Sequence, residues 1–361
     1  MQRMGGFELP LHDGKAPRWL FRRMVALSGA IADVIVEEFG PEELIRRLAH
    51  PYWFQAFACT IGFDWHSSGT TTTACGALKL ALKPELHGVG VAGGKGKTSK
   101  KAPSEIEGIC AFFGIDSQSI SRASRMVAKV DSACVQDSFS LYHHSIFISE
   151  KGAWAVVQQG MNGEYARRYH WLSGKFRRYT EEPHVGICCD FTGETLDLTS
   201  RENEGIRKAS LDMVRENPMR IRGLLDGQQT LFCEPFERMP NRHEIRRIDI
   251  SERGWRSLQM AYEIQPEDYD ELVSLRGIGG KCLRALALVS ELVFGEEISW
   301  RDPAKYSFAH GGKDGIPYPV DRETYANTIK MLRDAVESAE IGRREKLDAI
   351  RRLSEFTVSD L

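Results

Sequence analysis

The sequence predicts an α+β protein, with a mixed amino-terminal domain followed by an all-helical carboxy-terminal domain. Three observations carry this. Val25, Leu27, Ala30, Ile31, Val34 and Ile35 recur at helical spacing. Residues 141–148 and 154–160 are two β-rich runs separated by Glu150-Lys151-Gly152, the pattern of a β-hairpin. Beyond residue 251 helical periodicity returns, interrupted once by Leu275-Arg276-Gly277-Ile278-Gly279-Gly280-Lys281.

The chain of 361 residues divides into a domain over 1–195, a helical and loop connector over 196–250, and a helical domain over 251–361. An apolar content of 42% supports real cores, and a formal net charge of −2, an average over the chain, argues against a tail-driven nucleic-acid binder. Contact with a polyanion must come from local basic patches. Residues 1–15 lack an apolar signal core, and no apolar run reaches the length of a membrane span. The expectation is a soluble, cytoplasmic protein with no membrane partner. The eight cysteines are scattered with no C-x-x-C spacing, so they read as buried, reduced thiols.

In order, Pro17-Arg18-Trp19 leads into a helix ending at Phe39-Gly40, and Pro41 starts a short second one through Leu44 and Leu48. Hydroxyls from Ser67 to Thr73 precede a helix over 76–82 and read as an N-cap or an anion cradle. A strand over 89–92 runs into Gly93-Gly94-Lys95-Gly96-Lys97-Thr98. This ends like a P-loop, but the leading glycine would fall at Val91. Pro103 argues against a helix directly behind it, so Lys95, Lys97, Lys100 and Lys101 are assigned to a flexible loop. Its lysines are phosphate contacts or simply solvated. A helix is expected over 105–135, opened by Ser104 with Glu107 three residues on.

Within the β-hairpin, His143 and His144 point to opposite faces, one to the core and one to the surface. Asp137, His143, His144, Glu150 and Gln158 form a candidate metal-nuclease set, although the Asp…Glu-x-Lys pattern of restriction-type nucleases is absent. Arg167 and Arg168, interleaved with Tyr169, His170 and Trp171, suit phosphate contact with base stacking, or a solvated strand edge. Further on come a strand over 185–191, a helix from Thr199 or Ser200 to Met213, and a basic run at Arg242–Arg247.

The carboxy-terminal domain opens with a helix over 252–262. Pro266 marks the start of another, and the glycine turn joins it to a helix ending at Phe294-Gly295. Gly277 and Gly279 permit positive φ and, with Gly280, leave the backbone bare. The first N–H groups of the second helix then form an anion site. A long loop over 296–319 carries Tyr306, Phe308, His310 and Tyr318, and a helix opens at Pro319-Val320-Asp321.

Leu275–Lys281 resembles the helix-hairpin-helix motif of DNA-binding proteins. With Pro319-Val320-Asp321, it also resembles the helix-hairpin-helix DNA glycosylases, over about the last hundred residues. That resemblance implies duplex DNA as partner, Lys281 as a nucleophilic amine and Asp321 as the carboxylate beside it. It assigns Gly277, Gly279 and Gly280 to the phosphate and Tyr306, Phe308, His310 and Tyr318 to the extruded base. The separation of Lys281 and Asp321 is longer than in those enzymes. No cysteine follows Cys282, which excludes the iron–sulfur cluster that some of those enzymes carry. Across its length the chain is also similar to an uncharacterised prokaryotic, mainly archaeal, family of unknown function. The shared blocks include Phe63–Gly69, Gly93–Lys101, Trp154–Gly160 and Tyr306–Arg322. The expected activity is thus a DNA glycosylase and abasic-site lyase without a cofactor. The alternatives are a nuclease using a divalent metal in the amino-terminal domain, and a nucleic-acid-binding protein without catalysis.

Overall fold

A computed structural model describes residues 18–62, 69–163, 165–218, 222, 250–306, 330, 334, 336 and 337. It divides into two compact units, each discontinuous in sequence. One contains residues 1–115, 145–157 and 308–361, the other 116–144 and 158–307. This division does not follow the boundaries at 195 and 250, because segment 250–306 shares its unit with strands. Five strands are hydrogen-bonded in the order β1-β3-β4-β5-β6, and β3 and β4 contribute to both units.

The first unit is mainly helical. Helix α1 (Arg18–Phe39) buries Leu20, Met24, Leu27, Ile31 and Ile35 on one stripe. Pro41 opens α2 (Pro41–Leu48), with Glu42 and Glu43 in its first turn and Arg46 and Arg47 in its last, the favourable sense for the helix dipole. Helix α3 (Pro51–Ile61) was not expected. All eleven of its residues are buried, so it shows no amphipathic stripe. Helix α4 (Gly69–Ala81) starts seven residues before the expected Gly76. A single turn, α5 (Pro84–His87), precedes β1 (Val89–Lys95).

The flexible loop after β1 is corrected: residues Gly96–Lys101 form a 3₁₀ turn leading straight into α6 (Ala102–Phe113). Pro103 is no obstacle there, since the first turn of a helix needs no intrahelical N–H bond. The Glu105 carboxylate holds the strand end by accepting from Gly93 N–H at 2.7 Å and from Lys79 Nζ at 2.7 Å. The helix expected over 105–135 is two helices, because Gly114 takes a left-handed C-cap and Asp116 starts α7 (Ser117–Ala133). Asp116 accepts from the N–H groups of Gln118 and Ser119 at 2.9 and 3.0 Å.

The second unit contains α7, β2 (Val135–Gln136), parts of β3 (Ser140–Ser149) and β4 (Trp154–Asn162), β5 (Tyr165–Leu172), β6 (Gly186–Cys188) and β7 (Leu196–Asp197). Strand β5 pairs antiparallel with β6, Arg168 opposite Cys188, and β2 pairs with β7. A 3₁₀ turn capped by Ser200 precedes α8 (Glu204–Arg215), so that helix starts later than expected. Helix α9 (Glu252–Ile264) is capped by Ser251. The helix expected from Pro266 is α10 (Tyr269–Ser274), capped by Asp268, and α11 (Gly280–Phe294) follows. His143 and His144 are both buried, which corrects the expectation of one core and one surface histidine: both faces of β3 are covered there.

Candidate nucleic-acid interface

The turn between α10 and α11 is built from its glycines. Gly277 has φ of 91°, and a Cβ there would lie 2.1 Å from Ser257 Oγ, so no side chain fits. Gly279 is the extended N-cap of α11, and no side chain caps the helix. The first N–H groups of α11 have no intrahelical acceptor. The two carbonyls that flank the turn are held from behind. Lys129 on α7 donates its Nζ to Leu275 O, and Gln136 on β2 donates its Nε2 to Gly280 O at 2.9 Å. Burial pushes the Lys129 amine down, against the Cys134 and Cys282 thiols, which act to raise it. Arg276 and Lys281 are exposed on the outer side of the turn, and neither has a hydrogen bond or ion pair among the described residues. Two exposed cations thus stand on a turn whose flanking carbonyls are bonded from α7 and β2.

The other expected site residues divide sharply. Lys95, Lys97, Lys100 and Lys101 are exposed at the end of β1 and along the 3₁₀ turn, in the first unit. Tyr306 is half-buried, its main chain bridged to Cys188 and accepting from Cys189 N–H at 2.9 Å. Asp321, Phe308, His310 and Tyr318 lie outside the described residues.

Arg167 and Arg168 are corrected. They are 1% and 6% exposed, enclosed within the second unit rather than lining a groove. Arg167 Nη1 lies 3.2 Å from Asp137 Oδ2, Nη2 lies 2.7 Å from Asp302 Oδ2, and the guanidinium sits 4.6 Å from the centre of the Phe139 ring. Burial acts to lower the guanidinium pKa, but the two carboxylates outweigh it and hold the group raised. Tyr169 also donates its hydroxyl to Asp137, at 2.5 Å. Burial pushes the Asp137 carboxyl up to about 6 against the pull of Arg167 and this hydrogen bond. Arg168 bonds the Cys188 thiol. A guanidinium so committed has no face for a phosphate.

The nuclease set is divided in the same way. Asp137 serves Arg167, whereas His144 and Gln158 join a separate buried chain. Gln158 Nε2 donates to Asp131, which also accepts from Trp171 Nε1 at 2.9 Å. That turns the amide oxygen of Gln158 toward His144 Nδ1, at 2.8 Å, and leaves His144 Nε2 to accept from Ser124 Oγ at 2.8 Å. Burial lowers the His144 pKa and keeps the ring neutral. Among the described residues no group of three or more His, Cys, Asp or Glu is placed to hold a metal ion. No described helix is long and apolar enough to cross a membrane.

Two residues central to these clusters, Asp302 and Lys129, were missed by sequence reasoning. Neither sits in a motif, and their partners lie 135 and 146 residues away. Comparison with curated proteins and with solved structures gives no match. One family does match over residues 5–320, and the chain belongs to it: the family described as "Protein of unknown function (DUF763)".

Proposed function

We propose that the protein binds duplex DNA through the turn between α10 and α11, and that Lys281 is the nucleophile of a glycosylase and abasic-site lyase reaction. One observation carries the reading. Lys281 stands exposed in the first turn of α11, where no side chain caps the helix, and it has no partner among the described residues. Backbone N–H groups hold a phosphate, and the Lys281 amine is left for the sugar. In the reaction the amine bonds to C1′ and the C1′–N bond of the damaged nucleotide breaks. The base leaves with that electron pair and takes up a proton, and the sugar ring opens as the Schiff base forms. Arg167 and Arg168 have no part in this, and the role of Asp321 is carried by the resemblance alone.

Borohydride trapping tests it, on duplexes carrying an abasic site, uracil, hypoxanthine or an oxidised base. The expected outcome is a covalent adduct with the wild type and none with Lys281→Ala, which still binds the duplex. An adduct that persists in Lys281→Ala removes Lys281 as nucleophile. Wild-type binding without any adduct reduces the function to DNA binding.

A further inference from the structure

Arg284 stands out among the buried cations. It is 2% exposed, and its Nε and Nη1 have no hydrogen-bond partner among the described residues. The other deeply buried arginines each have polar partners, although Arg47 Nη1, Arg167 Nε and Arg168 Nε are themselves unbonded among the described residues. Arg167 has two carboxylates, and Arg207 donates to the carbonyls of Leu198 and Ser200 at 2.9 and 2.5 Å. Burial pushes the Arg284 guanidinium down to about 10, with no described carboxylate offsetting it. An enclosed, uncompensated cation is unfavourable to the fold, and an incoming anion relieves it.

The position of Arg284 says where that anion enters. It follows Gly280 by four residues and Lys281 by three, so in projection down α11 it falls between them. Gly280 packs toward Ala133 and Gln136, and Lys281 is exposed. Helical side chains lean toward the preceding turn, which for Arg284 is the first turn of α11, where no side chain caps the N–H groups. Gly280 offers no side chain to block the way.

We infer that Arg284 and the first turn of α11 form a recessed seat for a phosphate monoester at the end of a nucleic-acid strand. The depth of Arg284 selects the ligand. An internal phosphodiester carries a sugar on both sides and stays at the level of Lys281. A terminal phosphate is bonded to carbon on one side only, can enter, and brings a second negative charge. Arg276 and Lys281 continue the positive surface outward along the strand. The inference rests on the proposed DNA-binding reading.

The test measures affinity for a nicked duplex with a 5′-phosphate at the nick, against the same duplex with a 5′-hydroxyl. The wild type should bind the phosphorylated nick at least about tenfold more tightly. Arg284→Met should lose that preference and keep hydroxyl-nick affinity, whereas Lys281→Ala should weaken both. Thermal melting guards against misfolding: Arg284→Met should melt at or above the wild type without ligand, since a buried unpaired charge has gone. Inorganic phosphate should raise the wild-type midpoint and leave that of Arg284→Met unmoved. Equal wild-type affinity for the two nicks overturns the inference, and so does a preference that survives in folded Arg284→Met. If the wild type binds neither duplex, the DNA reading falls. The phosphate-dependent midpoint then decides whether the seat takes free phosphate: a rise abolished in Arg284→Met retains the seat, and no rise removes it.

Discussion

Arg167–Arg168 and Arg276–Lys281 are both basic clusters beside glycine or aromatic residues, and the fold uses them in opposite ways. The first lies in β5, where both faces of the sheet are covered, so alternation sends two cations into the interior. Arg167 is tolerable there because Asp137 and Asp302 meet it. The second lies at a turn, where helix geometry leaves the charges outside and the nearest buried cation, Arg284, without a counter-ion. Charge in a sequence says little about a surface until the carboxylates that answer it are located. Cations with partners hold the fold together, and those without partners are open to a ligand.

The contrast can be broken most forcefully at Arg167. Arg167→Met should cost about 3–5 kcal/mol, because two buried carboxylates lose their cation. Urea unfolding measures this, and DNA affinity per folded molecule should be unchanged. A variant of wild-type stability would mean that the pair contributes little.

Acid titration gives the next effect. The folded Asp137 carboxyl is raised to about 6 by burial, from an ordinary value of 3.8. The native state therefore binds the extra proton between these values. Its contribution to stability is full below about pH 4 and is lost as pH rises through about 6, a change on the order of 2 kcal/mol. Denaturant melts of the wild type and Asp137→Asn across pH 4 to 7 isolate it. The wild type should lose ground to the variant as pH rises, and parallel curves would show that Asp137 does not titrate in that window.

The smallest effect is at the exposed cluster. Lys281→Ala should leave the melting midpoint in place and weaken duplex binding several-fold, about 1 kcal/mol. The dependence of log affinity on log salt should become shallower by about one. A destabilised Lys281→Ala would place that lysine with Arg167 rather than opposite it.

What could be read in advance follows the range of the interactions. Helices α1 and α2 and the glycine turn were legible because stripe, proline and glycine signals act within a few residues. Helix α3 was not, since burial on every side erases periodicity. At Gly96–Lys101 the glycines and lysines look like a loop in sequence, and Pro103 looks like a stop although it stands in the first turn of α6. In the candidate site the bare backbone and exposed Lys281 were visible in the sequence. The burial of Arg284 was not, because the run Cys282–Ser290 is enclosed by packing on all sides of α11. The partners of Arg167 were equally hidden, 30 residues upstream and 135 downstream.

The hold that Lys129 and Gln136 have on the turn sets an order of events during folding. Their acceptors, Leu275 O and Gly280 O, lie 146 and 144 residues along the chain. Helices α10 and α11 and the bend between them are local and can form early, but the grip on their carbonyls waits for a very long loop to close. Until then the turn has its residues without its fixed geometry. A fragment containing only residues 250–306 would remain at that stage, with helices but no firm seat for a phosphate.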